Sequence, residues 1–110
     1  AARRPAKGAA MQETIDPEAC TTMIEVRAGV DAVDAALVQL LKRRFGYMDA
    51  AARIKPERAH VRDEARKTQV IANARAHARA AGIPDAPIGE IWDRLVEASI
   101  AYELEAFDRR

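Results

Sequence analysis

Cysteine occurs once, at Cys20, so the chain can close no internal disulfide. A lone thiol fits a reducing compartment, and a cytoplasmic location is expected. Glycine and proline are scarce, five of each in 110 residues, and aromatic residues make up only 5%. So few turn formers and β-favouring aromatics argue against a sandwich or a barrel. The two histidines, His60 and His77, have no CxxC or paired-His motif beside them. No metal centre and no redox cofactor is therefore expected. No one sign of charge dominates: 18 basic and 17 acidic residues leave a formal charge of +1. That balance excludes a general pull toward nucleic acid or an anionic membrane, and any anion site must be local. No apolar run approaches the ~20 residues of a membrane span.

What is present favours helix. Alanine, arginine and glutamate dominate, and all are good helix formers. The length points to one domain. Residues 1–12 are basic without an apolar signal core. Residues 1–20 are expected to form a flexible tail and residues 21–110 a helical domain. A domain of this size buries a modest share of its surface, and oligomerisation is a common remedy.

Three helices survive the search for breakers. The first is expected from Thr22 to Lys55, with Thr21 or Thr22 as cap and Glu25 completing a capping box. Pro56 ends it. The second is expected from Asp63, a plausible N-cap, to Ala81, with Gly82 and Pro84 as a stop signal. The third is expected from Pro87 to Phe107, proline suiting a first turn. The first helix carries an apolar stripe at Val26, Val30, Val33, Leu37, Leu40, then Arg44, then Tyr47, Ala51 and Ile54, in alternating steps of 4 and 3. This is the seam of a helix packed along its length. Two shorter helices folding back once cannot cover it, and a second subunit is the natural cover.

Arg44 interrupts that seam, where a charge is costly unless paired or given a ligand. Lys55 lies eleven residues on, which is ~20° of rotation and ~16 Å along the axis. The two could bracket a small anion. Equally, Arg44 could pair with an acid on another helix and Lys55 could simply end its own helix. Arg27 lies seventeen residues before Arg44, ~25 Å away, too far to share one small ligand within a single helix. An antiparallel copy from a second chain would bring its Arg27 near Arg44; otherwise Arg27 is a solvated surface arginine. On the second helix Asp63, Arg66, Val70 and Ala74 share a side, with Lys67 beside them. On the third the stripe reads Ile88, Ile91, Leu95, Ser99, Tyr102 and Ala106, with Glu103 at its edge. Ser99 and Glu103 are four apart and share a face.

Together these residues resemble the all-helical chorismate mutase family over roughly residues 22–107. The matching pieces are Ile24-Glu25-Val26-Arg27, Val30-Asp31-Ala32-Val33-Asp34, Leu40-Leu41-Lys42-Arg43-Arg44, Ala52-Arg53-Ile54-Lys55, Val61-Arg62-Asp63-Glu64-Ala65-Arg66, and Ala98-Ser99 to Glu103. The most specific feature is arginine, arginine and lysine at this spacing on one long helix. The resemblance implies an all-α fold of three helices per chain, one long and two shorter, in an intertwined homodimer. Each of two sites would take one arginine, Arg27, from the other subunit. Arg27 and Arg44 would bind the carboxylates of chorismate, Arg66 and Ser99 would hold the ring carboxylate side, Asp63 would contact the hydroxyl, and Lys55 would face the ether oxygen. No cofactor is implied.

Two positions depart from the commonest bacterial pattern. Lys67 stands where many members have a glutamate for the substrate hydroxyl. Glu103 stands where many have a glutamine for the ether oxygen. The implied reaction is the Claisen rearrangement of chorismate to prephenate, in aromatic amino acid biosynthesis. Its demands are a compact substrate geometry and donors for the charge developing on the ether oxygen. Glu103 can donate only when protonated, which implies activity that falls as pH rises. The family's isochorismate pyruvate-lyase relative, which forms salicylate, is similar in the short step from Lys55 to Val61, in Asp85-Ala86-Pro87 and in Cys20-Thr21. Ser99, Asp63 and Arg66-Lys67 look more like a mutase. A third reading is a non-catalytic dimerisation module whose Arg44 pairs with Asp34 or Glu97.

Overall fold

The computed structural model describes residues 14–110, which form two short 3-10 turns and three α-helices. The order is a turn at Pro17–Ala19, helix α1 at Met23–Ile54, a turn at Arg58–His60, helix α2 at Glu64–Ala80 and helix α3 at Asp85–Asp108. No strand occurs among the described residues, and none of their helices is long and apolar enough to cross a membrane. The chain divides into two compact units, one ending at Arg44 and the other spanning Phe45–Arg110. Helix α1 contributes residues to both.

In the first unit, the expected capping box starts α1. Thr22 Oγ1 accepts the Glu25 N–H at 3.2 Å, and Glu25 Oε1 accepts the N–H groups of Thr21 and Thr22 at 2.8 and 3.1 Å. These bonds hold the Glu25 carboxyl below its ordinary range, the Thr21 N–H contributing most. Most of the expected tail lies outside the described residues. Its remaining part, residues 14–20, makes the first 3-10 turn and lines an apolar cleft of about 410 Å³ with Val26, Val30 and Val33 of α1. Along the seam Val26, Val30, Val33, Leu37 and Leu40 are 38–56% exposed. The row of partly exposed apolar side chains follows the 4-and-3 spacing of the sequence.

In the second unit α2 and α3 pack on each other. The core is Val61, Val96 and Ile100, with Val70, Leu104 and Phe107 against it. Ala74 and Ala78 are the buried residues of α2, and their small side chains permit close approach. At Gly89 of α3 the Arg75 side chain lies against bare backbone: a Cβ there would meet Arg75 Cδ at 2.9 Å. Asp63 caps α2 by accepting the Arg66 N–H at 3.0 Å. Gly82, at φ +78°, ends the helix as its composition predicts. The N–H of Ile83 reaches Ala78 O and that of Gly82 reaches Arg79 O, the paired bonds of a Schellman motif.

Helix α3 differs from expectation twice. It begins at Asp85, not Pro87, with Pro84 as N-cap. Asp85 is gripped by Arg75 and Arg79 at 2.9 and 2.8 Å, and a carboxylate is favourable in a first turn. Pro87 then falls where an N–H has no helical partner anyway. The buried face is also rotated. It consists of Gly89, Val96, Ser99, Ile100 and Glu103, so of the expected stripe only Ser99 is fully buried. Ile91 and Tyr102 are 55% and 36% exposed. The helix is apolar on two sides, and α2 takes the side that carries Gly89.

Candidate active site

Lys55 is the residue at which α1 runs out. Its N–H still bonds Ala51 O at 2.9 Å, and Pro56 forbids the next helical bond. Its side chain reaches α3, where Nζ lies 2.7 Å from Glu103 Oε2. The lysine side chain is 30% exposed and the glutamate side chain 5%. The separation is that of a contact ion pair, yet Oε2 has no hydrogen bond of acceptable angle. The short distance sets the Coulomb attraction whatever the angle.

One turn before Glu103, Ser99 is equally buried, at 4% exposure. Its hydroxyl donates to Leu95 O at 2.7 Å. Lys55 thus pairs with a carboxylate on the helix face that also buries the Ser99 hydroxyl. On the neighbouring face Tyr102 donates to Asp49 Oδ2 at 3.0 Å and tilts against Phe45, ring centroids 4.9 Å apart. The hydrogen bond to Asp49 pushes the phenol above its ordinary range, and desolvation adds to this. Sequence reasoning missed Asp49, which has no motif around it.

The other expected residues of this unit make different contacts. Lys67 is held by Glu97 at 2.6 Å and Asp93 at 3.2 Å. Those two carboxylates raise its pKa, Glu97 contributing more. Arg62 grips the same Glu97 with both terminal nitrogens, at 2.7 and 3.2 Å, and also takes Glu64 at 2.8 Å. Arg62 first and Lys67 second hold the Glu97 carboxyl down at about 2. The third reading's pairing of Glu97 with Arg44 thus competes with two basic partners already in place. Arg66 is exposed and donates to Gln69 at 2.6 Å. Asp63 uses one carboxylate oxygen as helix cap. In the first unit Arg27 is exposed and Arg44 half-buried on α1.

Residues 26–104 match the family model for chorismate mutase type II. The isochorismate pyruvate lyase of Pseudomonas aeruginosa is 30% identical over 90 residues, covering 81% of this chain and 88% of that protein. No solved structure matches the chain. The family match begins one residue before Arg27, ends one residue after Glu103, and runs through all three helices between them. This chain belongs to the chorismate mutase type II family.

Proposed function

We propose that the chain is a cytoplasmic, homodimeric chorismate mutase that converts chorismate to prephenate. The observation that carries the reading is the Lys55–Glu103 pair, its carboxylate buried one helical turn from Ser99, in a member of this family. The reaction needs no covalent intermediate. Carbon–oxygen bond breaking builds negative charge on the ether oxygen, and a donor fixed in a water-poor site stabilises that charge more than the ground state. Lys55 is that donor. Glu103 anchors the ammonium and, when protonated, donates as well. Ser99 lies one turn away, toward the ring carboxylate.

The remaining roles follow the family resemblance. Arg44 and the other subunit's Arg27 clamp the carboxylates, since guanidinium and carboxylate match as bidentate partners. Arg66 supports the ring carboxylate and Asp63 the hydroxyl. Arg66 must leave Gln69 to do so, and Asp63 must act through the oxygen not used as cap. Lys67 occupies the hydroxyl subsite with its charge balanced by Asp93 and Glu97. The exposed seam of α1 supports the dimer, because a second copy of the chain would bury it.

A second reading has its own support. The relative that covers most of the chain is an isochorismate pyruvate lyase. The same carboxylate clamps and the same ether-oxygen donor would serve elimination of pyruvate from isochorismate. Incubation with chorismate and, separately, isochorismate, with product identification, decides between them. Prephenate from chorismate supports the proposal. Salicylate and pyruvate from isochorismate, with chorismate unchanged, establish the lyase. Neither product, from folded protein, leaves the dimerisation module.

A further inference from the structure

The last turn of α1 carries a problem that the helix cannot solve. Ala52 is 2% exposed, and its carbonyl would normally accept the N–H four residues on. That residue is Pro56, which has none. A buried carbonyl without a partner is costly. Arg110 supplies the partner: Nη1 donates to Ala52 O at 3.2 Å and to Lys55 O at 2.7 Å. The guanidinium lies 4.0 Å over the Phe107 ring, which sets its plane. A second clamp lies beside it. Arg58, from the turn that follows Lys55, grips Asp108 with two nitrogens at 2.8 and 3.1 Å.

We infer that Arg110 is a positioning residue for Lys55. It bonds the backbone carbonyl of the same residue whose ammonium lies on Glu103. Nζ sits at the end of a flexible four-carbon stem, so its position depends on where the Lys55 backbone is held. Without the guanidinium, the Ala52 and Lys55 carbonyls must turn toward water. The last turn of α1 then frays and Nζ drifts from its place beside Glu103. The cation also sits at a helix C-terminus, where the dipole favours it.

The inference rests on Lys55 being the donor of the proposed reaction, so its test has two readouts. Arg110→Met keeps the stem over Phe107 and removes the donors; Arg110→Lys restores one charged donor. With whichever of chorismate or isochorismate the parent turns over, Arg110→Met is expected to lower kcat about tenfold, more than it raises KM, the scale set by small displacements of a reacting group. Arg110→Lys should recover part of that loss. The second readout is the ε-carbon NMR resonance of Lys55, assigned by its loss in Lys55→Met. Glu103→Gln will move it by breaking the pair. Arg110→Met should move it the same way, and Arg110→Lys less. A purely structural role would lower Tm but leave kcat, measured well below Tm, and this resonance as in the parent. That pattern overturns the inference. If the parent turns over neither compound, the functional reading fails, and the resonance alone decides whether Arg110 positions Lys55.

Discussion

Lys55 and Glu103 form a pair of unequal burial, and that inequality predicts an asymmetry in stability. Lys55→Met keeps the stem and removes the charge, leaving a carboxylate of 5% side-chain exposure with no cation at 2.7 Å. Removing one member of a fully buried pair costs ~3–5 kcal/mol. The lysine side chain is 30% exposed, so the ammonium was partly solvated and its attraction partly screened; a discount to ~2–3 kcal/mol follows. Glu103→Gln leaves instead a cation that water already reaches, with a neutral amide of the same shape, and should cost only ~1 kcal/mol. Lys55→Met with Glu103→Gln removes both charges, so the double variant should be more stable than the two losses added together, by ~1–2 kcal/mol. The assay is urea unfolding of all four proteins at one fixed protomer concentration, because the stability of the proposed dimer would depend on it. Equal costs for the two single variants, with additivity within ~0.5 kcal/mol, would refute the coupling.

The same pair governs a kinetic prediction. Glu103→Gln places an N–H donor where the carboxylate stood, so its kcat/KM should match or exceed the parent's; a value well below the parent's removes Glu103 from the donor role. If the site is shared between subunits as proposed, Arg27→Ala and Arg44→Ala should each be nearly inactive, yet refolded together they should regain about a quarter of the activity, since half of the dimers would be mixed and each would have one complete site. No recovery despite proven subunit exchange would contradict the cross-subunit role of Arg27. Glu97 predicts an acid limb of stability. Its folded pKa of about 2 lies below the ordinary 4.5, so the unfolded chain binds the extra proton. Its contribution is complete above about pH 4.5 and disappears as pH falls toward about 2. Parent and Glu97→Gln should therefore differ in Tm near neutrality and converge at the acid end; a gap that persists there would point to packing instead.

Much of this was legible in the sequence where local chemistry decides. The 4-and-3 spacing and the Thr22–Glu25 box mark α1, and Gly82 ends α2, because caps and periodicity act within a few residues. Ser99 and Glu103 share a face for the same reason. The burial of Glu103 was not legible, since helix α3 has two apolar sides and its own periodicity does not choose between them. Nor was Arg110, which serves a carbonyl more than fifty residues away. A signal was present all the same: Pro56 four residues after a buried alanine announces an acceptor in need of an outside donor. Lys67 illustrates the opposite failure. A basic residue at an expected substrate position invites a ligand, but Asp93 and Glu97, one turn apart on the opposing helix, pair with it.

The contact of Gly89 with Arg75 makes the order of substitutions matter. An added methyl at Gly89 would meet Arg75 Cδ at 2.9 Å and Cγ at 3.2 Å, and the arginine could yield only by loosening its bonds to Asp85 at 2.9 and 3.2 Å. Shortened first, as in Arg75→Ser, the same position would welcome alanine and gain up to ~1 kcal/mol of helix propensity, while Arg79 kept its hold on Asp85. Each change thus alters the sign of the other. A lineage that loses the arginine can drift to larger residues at Gly89, and from there the return of the arginine is blocked. Glycine and arginine at these two positions should therefore be inherited as a pair, although neither touches Lys55 or Glu103.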